Sequence, residues 1–334
     1  MNIAIIGAGI AGLSCADALQ DAGHCPVLFD KGRGPGGRMS TRRVQTPLGE
    51  AAFDHGAQYF TARDPGFKRL VDSWQRSGVA APWPQSGTDA WVGVPGMNAV
   101  TRQMAAAHDV AWGHQVTAMV RRAGSWWLTG PAGETGPYDA AVLAIPAEQA
   151  AVLLSLHDFA MARKALMVRS QPCWTGMFVF DHPLAGVPPV MRNRGDIAWA
   201  ARNSAKPGRS GPEAWVVQAS ATWSAAWLEA PADEVAGLLH RALAQAAGCI
   251  IPEPLVATAH RWRYALSVGT GDGALWNPDL GLGACGDWLM GPRVESAWLS
   301  GRKLAAMCKG AGPVIGSVQL TGITCPKGHV PILP

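Results

Sequence analysis

Ile3-Ala4-Ile5-Ile6-Gly7-Ala8-Gly9-Ile10-Ala11-Gly12 opens the chain, and Pro26-Val27-Leu28-Phe29-Asp30 follows it. The order is apolar strand, glycine-rich turn, helix, then a second strand ending in an acid, which is a dinucleotide fingerprint in the context it requires. Gly7 permits the tight turn, Gly9 lets the backbone approach a pyrophosphate, and Gly12 lets the helix lie close to the strand. Free N–H groups at the helix N-terminus face phosphate charge, and Asp30 can accept hydrogen bonds from a ribose diol. The fingerprint by itself leaves open whether the dinucleotide is FAD or NAD.

Composition narrows the remaining classes. The 334 residues suffice for one large domain or two intimately joined ones. Basic residues are scattered over a net charge of +4, and Arg42-Arg43 lies in a turn region, so no nucleic-acid partner is expected. The apolar stretch 3–19 lacks a positive leader and is broken by Asp17. No window offers the roughly 18 apolar residues of a membrane span, so the expectation is a cytoplasmic chain with no membrane partner. The seven cysteines (Cys15, Cys25, Cys173, Cys249, Cys285, Cys308, Cys325) form no C-x-x-C pair and no zinc spacing, so reduced thiols and no metal are expected.

Periodicity gives a coarse organisation. Asp64-Pro65 reads as an N-cap followed by proline, opening a helix through Phe67, Leu70, Val71 and Trp74. Residues 116–121, 126–129 and 138–145 read as a small meander with turns at Ala123-Gly124 and 131–133. Strands are expected at 176–180, 197–201 and 215–220, and a helix at 232–247 closed by Gly248. Leu282-Gly283-Ala284-Cys285-Gly286-Asp287 reads as a strand ending in Gly-Asp, followed by a helix from Glu295 to Lys309 and a Gly/Pro-rich tail over 310–334.

Two further features favour FAD. Gly36-Gly37-Arg38 stands just beyond the Asp30 strand, where an extended FAD needs a second backbone-hugging segment, and Arg38 adds a cation for the pyrophosphate. In a two-ended flavin site, Asp287 would accept from the ribityl chain. The Glu295 helix would then point its positive end at the pyrimidine edge of the flavin, favouring reduction.

Five stretches together resemble the flavin-containing amine oxidase superfamily, and within it the bacterial renalase-like proteins. They are 7–12, 30–39, Asp54-His55-Gly56-Ala57-Gln58-Tyr59-Phe60-Thr61-Ala62-Arg63-Asp64, Ala259-His260-Arg261-Trp262-Arg263-Tyr264-Ala265, and 285–301. The loop 199–207 is also similar. The resemblance implies an α/β fold: a Rossmann-type, p-hydroxybenzoate-hydroxylase-like FAD-binding domain with a mixed-sheet substrate domain. The FAD-binding domain would take 1–65, 110–150 and 260–309, and the substrate domain 66–109 and 151–259. It also implies oxidation of 2- or 6-dihydro isomers of NAD(P) by a non-covalent FAD. Hydride would pass to flavin N5, and dioxygen would reoxidise the flavin to give hydrogen peroxide and NAD(P)+. An amine or amino-acid oxidase and a non-catalytic flavin-binding sensor are the alternatives. Family amine oxidases place a lysine near N5; here Lys164, on a helical stretch, and Lys206, in a loop, match no recognisable equivalent.

Together these readings assign Gly7, Gly9, Ile10, Ala11 and Gly12 to the AMP end of the cofactor, with Asp30 and Lys31 beside them. Gly37, Arg38 and Met39 follow on the second loop, and Gln58, Tyr59 and Phe60 on the segment running past the flavin. Val116, Gly286, Asp287, Glu295, Ser296 and Ala297 complete the set. Tyr59, Thr61 and His260 are the candidate catalytic residues, His260 because an imidazole can donate to a carboxamide. Trp223, Trp262, Tyr264 and Trp288 can supply flat apolar walls.

Overall fold

Four consecutive residues, Ile3 to Ile6, are 5% exposed or less, so the first strand is apolar on both faces and must run through the middle of a covered sheet. A computed structural model of the chain, describing residues 1–309, bears this out. The chain divides into two compact units, 1–37 with 101–169 and 267–309, and 38–100 with 170–266. The expected tail, 310–334, lies outside the described residues.

The first unit is built on a six-stranded sheet in the order 275–277, 282–284, 140–143, 2–6, 25–30, 109–112. All its ladders are parallel except that of the Leu275–Asn277 edge, which makes the sheet mixed. Chain order reverses beside the Asn2–Ile6 strand, the switch point at which doubly wound sheets bind ligands. The Ile10–Gln20 helix is buried over most of its length and packs against the Val294–Lys309 helix. They come close because Gly301 carries no side chain: a Cβ there would lie 2.2 Å from the Ala11 carbonyl.

The expected meander forms from Ala118–Arg122, Ser125–Gly130 and Gly133–Tyr138. Ala123 (φ +48°) and Gly124 (φ +85°) make the tight turn between the first two strands. The expected single strand 138–145 is corrected to two. Tyr138 ends the meander, whereas Ala140–Leu143 pairs in parallel with Ile3–Ile6 in the large sheet. The apolar run had concealed a change of sheet at Asp139.

The second unit holds a five-stranded sheet ordered 190–194, 197–202, 213–219, 170–180, 256–267. Alternation along Ser170–Phe180 sends Phe178 and Phe180 to one face, where Val235, Leu239 and Leu243 of the Ala232–Ala247 helix cover them. Met177 and Val179 point to the other face, against Ala51 and Phe53. Those two belong to a hairpin, Thr41–Thr46 with Gly49–Asp54, that sequence pattern did not reveal. Its packing is why 38–65 groups with the second unit rather than with the fingerprint.

The expected helix runs Pro65–Arg76, with the Asp64 carboxylate accepting from the N–H groups of Gly66 (2.7 Å) and Phe67 (3.0 Å). The helix at 232–247 closes on left-handed Gly248 (φ +69°), as expected. Five cysteines are free thiols, but Cys25 is disulfide-bonded, which departs from the expectation of reduced thiols throughout. Among the described residues no helix is long and apolar enough to cross a membrane.

Asp64→Ala removes the cap and should lower stability by about 1 kcal/mol, read as a reduced urea midpoint with unchanged slope.

Candidate functional site

The Gly7–Gly12 turn leaves the carboxyl end of the central strand at the switch point. Gly7 is left-handed (φ +104°), and a Cβ there would lie 2.5 Å from the Ala144 carbonyl. At Gly12 a Cβ would lie 2.0 Å from the Gly7 carbonyl, so helix and turn touch backbone to backbone. Gly9 differs: nothing lies within 4 Å of its would-be Cβ, and as N-cap it offers the helix no side chain. Open space above an uncapped helix N-terminus, with Ile10, Ala11 and Gly12 in its first turn, suits a phosphate.

Gly37 (φ +53°) brings the second loop back to the first, its would-be Cβ 3.6 Å from the Gly9 Cα. Asp30 ties the two loops together. One carboxylate oxygen accepts from the Ala8 N–H (2.8 Å), the other from the Gly32 N–H (2.7 Å). The acid expected to hold a ribose thus first shapes its own cradle, and each oxygen keeps a lone pair for a diol. Lys31 is exposed, and Val116 packs half-buried on the core.

At the other end of this unit, the strand stops at Ala284 and Asp287 begins a short 3-10 turn. The Gly286 N–H donates to the Ser300 hydroxyl (2.9 Å), which donates to the Gly273 carbonyl (2.5 Å). Glu295, Ser296 and Ala297 sit buried in the first turn of the last helix, with Glu295 facing Arg293 at 3.5 Å. Trp288 is core: its indole N–H donates to the Ile145 carbonyl.

In the second unit the Asp54–Asp64 run is organised around one buried carboxylate. Asp54 accepts from the Thr41 hydroxyl and the Met97 N–H on one oxygen, both at 2.9 Å, and from Lys206 (3.2 Å) and Arg209 on the other. Burial raises this carboxyl, but the two cations and the Met97 N–H outweigh it and hold it at about 2. Burial also brings Lys206 down to about 8, against the pull of Asp54. At neutral pH the cluster is ionised. The Lys206 ammonium also donates to the Gln58 carbonyl (3.2 Å), and the Gln58 amide donates to the carbonyls of Asp54 and Gly56. Gln58 therefore spends its side chain inside the protein and has only backbone to offer a cofactor.

Sequence reasoning named Lys206 as a loop lysine but missed that it is buried against Asp54. A lysine in a loop of small residues carries no sign that it will be buried, whereas Lys164 is the ordinary half-exposed partner of Asp272 at 2.5 Å. Gly56 is placed as tightly as Gly12: a Cβ there would lie 2.0 Å from the Arg38 carbonyl, which also accepts from the Ala57 N–H (2.8 Å). Arg38 donates to the Ala265 carbonyl (3.1 Å), and Met39 is buried.

Tyr59 and Phe60 part company. Phe60 packs into a cluster with Phe67 and Trp74, while Tyr59 is partly exposed and packs on Trp199 at 5.4 Å. Thr61 is partly exposed beyond them. His260, on the Val256–Ser267 strand, meets His55 (4.9 Å) and Trp262 (4.5 Å), and the Trp262 indole donates to the His55 carbonyl (2.8 Å). Burial lowers His55 to about 4, helped by His260; burial and Arg42 lower His260 too. Both imidazoles are neutral at pH 7. Trp223 stacks on Trp227, a core role, and Tyr264 makes no ring contact among those described.

Comparison with known proteins fits this geometry. Residues 5–74 match a family model described as an NAD(P)-binding Rossmann-like domain, and 84–308 one described as flavin containing amine oxidoreductase. The fold is similar to that of a candidate protoporphyrinogen oxidase from Exiguobacterium sp. 255-15 (TM-score 0.71, 12% identity). It is also similar to cyclohexylamine oxidase from Brevibacterium oxydans IH-35A (0.66, 14%) and to a triple variant of putrescine oxidase (0.67, 14%). Each alignment covers 92% of this chain and 98% of the other. The 15-cis-phytoene desaturase of Synechococcus elongatus is 50% identical over 40 residues, spanning 12% of this chain and only 8% of that protein.

Gly12→Ala should yield protein that purifies with little flavin, read as a lost absorbance band near 450 nm beside an unchanged far-ultraviolet spectrum. The pH dependence of stability follows from Asp54. Its folded pKa lies below its ordinary 3.8, so its contribution is full above that value and is lost as pH falls toward 2. Asp54→Asn should flatten that acid limb. It should also cost about 3–5 kcal/mol at pH 7, because Lys206 and Arg209 stay buried without their counter-charge.

Proposed function

The chain belongs to the flavin-containing amine oxidoreductase family, and on that premise we propose that it is an oxidase of 2- or 6-dihydro isomers of NAD(P) carrying a non-covalent FAD. When bound, FAD would supply the hydride acceptor and pass the electrons to dioxygen. The balance is one dihydronicotinamide, one dioxygen and one proton giving NAD(P)+ and hydrogen peroxide.

The observation that carries this reading is the state of the charged groups along the Asp54–Asp64 run. Lys206 is committed to Asp54 and Gln58, and all four donors around Asp54 are in place. Neither is a free proton acceptor. A dihydronicotinamide needs none, because losing a hydride alone makes the ring aromatic. The residues' task is to bind and orient, and neutral His260 suits a hydrogen bond to an uncharged carboxamide. The glycine cradle and Asp30 support the dinucleotide end of FAD.

An amine oxidase is the second reading, favoured by one observation. His55 and His260 are neutral and adjacent, and the buried His55 Nδ1 has no hydrogen-bond partner. Such a pair can accept a hydrogen bond from an ammonium substrate, and structures of similar fold include oxidases of putrescine and cyclohexylamine.

Anaerobic mixing with 6-dihydroNAD should bleach the oxidised flavin band within seconds, while ordinary NADPH and an amine panel leave it unchanged. No bleaching with either the 2- or the 6-isomer refutes the first reading. Bleaching by an amine instead establishes the second.

A further inference from the structure

We propose that Arg192, with Tyr59, Trp199, Trp83 and Ser86, forms an anion subsite that grips the phosphate of a nucleotide substrate. Naming a nucleotide rests on the dihydronicotinamide reading. The donor-rich character of the site does not.

Arg192 lies on the Val190–Arg194 strand, and its guanidinium stands 4.8 Å above the Trp199 ring and 5.9 Å from that of Tyr59. One terminal nitrogen donates to Ser86, to its carbonyl and, at 3.0 Å, to its hydroxyl. These contacts hold the side chain by two aromatic faces and an anchored edge. Among the described residues no carboxylate pairs with it, so the charge is fixed in place and unneutralised. The remaining N–H groups of the planar fork match the spacing of phosphate oxygens.

The indoles beneath supply the independent observation. Trp83 and Trp199 are 1% and 8% exposed, their rings pack edge-on at 6.2 Å, and the Nε1 of each is buried without a hydrogen-bond partner. An indole nitrogen can only donate, and a buried donor left unpaired is rare in a native protein unless something else fills it. The Tyr59 hydroxyl has no partner among the described side chains either. The cluster therefore holds one cation and two unpaired indole donors, and its acceptors at Ser86 are already taken by Arg192. Lys206, 5.1 Å over the Trp83 ring, adds positive potential from beneath. What is missing is an acceptor-rich anion, and the exposed flank of Arg192 leaves a way in.

The Asp54 cluster is more nearly complete, since Lys206 and Arg209 both pair with its one carboxylate, although the Arg209 Nε is left without a partner. A surface cavity of about 470 Å³ lined by Arg202, Ser204 and Glu213 is likewise nearer complete, because Glu213 pairs with Arg202 at 2.7 Å. Around Arg192, two open indole donors lie beside a cation that no carboxylate pairs with among the described residues.

The test uses the holoenzyme and two substrates that differ only in phosphate: 6-dihydroNAD and the 6-dihydro form of nicotinamide riboside. Arg192→Ala should raise KM for the dinucleotide about 10- to 100-fold, as expected for a lost hydrogen bond to a charged group, with kcat little changed. KM for the riboside should stay where it is, and Arg192→Lys should recover part of the loss by restoring charge without the fork. Equal effects on both substrates, or no effect, overturn the proposal. ADP-ribose titrated against tryptophan fluorescence gives a reading that needs no turnover. Wild type should bind it more tightly than Arg192→Ala by a similar factor, and equal binding overturns the subsite. If no dihydronicotinamide is oxidised while ADP-ribose binding still depends on Arg192, the proposed reaction falls and the subsite stands.

Discussion

A carboxylate removed from water must be surrounded by its own donors, and in the second unit that requirement falls on Asp54. Its four partners come from three places in the chain: Thr41 at the start of a hairpin, Met97 on a loop, and Lys206 and Arg209 on the turn after Ile197–Arg202. Met97, Lys206 and Arg209 are distant in sequence, so the charge can be neutralised only when all three segments have reached their native positions. Burial works against ionisation, and the pairing outweighs it. The segment that follows Asp54 inherits this rigidity. Gln58 is locked by Lys206 and by the Asp54 and Gly56 carbonyls, and Gly56 lies against the Arg38 carbonyl with no room for a Cβ. The position of Tyr59 is therefore set by an ion cluster that Tyr59 itself does not touch.

Asp30 plays the same part in the first unit with lighter means. It is less buried and has no cation, and it holds two backbone N–H groups, one from each glycine loop. The rest of the cradle rests on absent side chains. Gly7 and Gly12 bring backbone to within contact of backbone, and Gly301 does so between two helices. A charged anchor and a set of steric vacancies are different physical devices, but both produce a surface that does not have to rearrange when an anion arrives.

This difference in devices decides what could be read from the sequence. The glycine cradle was legible, because Gly7, Gly9, Gly12 and Asp30 act through spacing along one βαβ unit and a missing Cβ is visible in the letters. Asp64 with Pro65, and Gly248 after its helix, were legible for the same local reason. The hairpin over 41–54 was not, because Thr41-Arg42-Arg43-Val44-Gln45-Thr46 shows no apolar alternation, and only the second strand buries Ala51 and Phe53. The run from Tyr138 to Ile145 looked continuous because apolarity does not report which sheet a strand joins. Lys206 was read as a loop lysine, since nothing within its own stretch indicates a carboxylate more than a hundred residues away. Phe60 was read as a cofactor neighbour, and its ring is taken by Phe67 and Trp74.

Satisfaction of polar groups then separates structural from functional clusters more sharply than charge or burial does. Asp54, Lys206 and Arg209 are deeply buried ions of the second unit, two cations sharing one carboxylate, and a ligand would have to displace existing partners to use them. Trp83, Trp199 and Arg192 are less conspicuous, two aromatics and a surface arginine, and the indoles are left with unpaired donors beside a cation that no carboxylate pairs with among the described residues. Protein interiors rarely tolerate that imbalance, because a buried donor forfeits its bond to water and gains nothing in return. Cations committed to a shared carboxylate mark a part that holds the fold together. The unpaired cation and open indole donors beside Tyr59 mark the part that is completed from outside, and an anion is what that chemistry accepts.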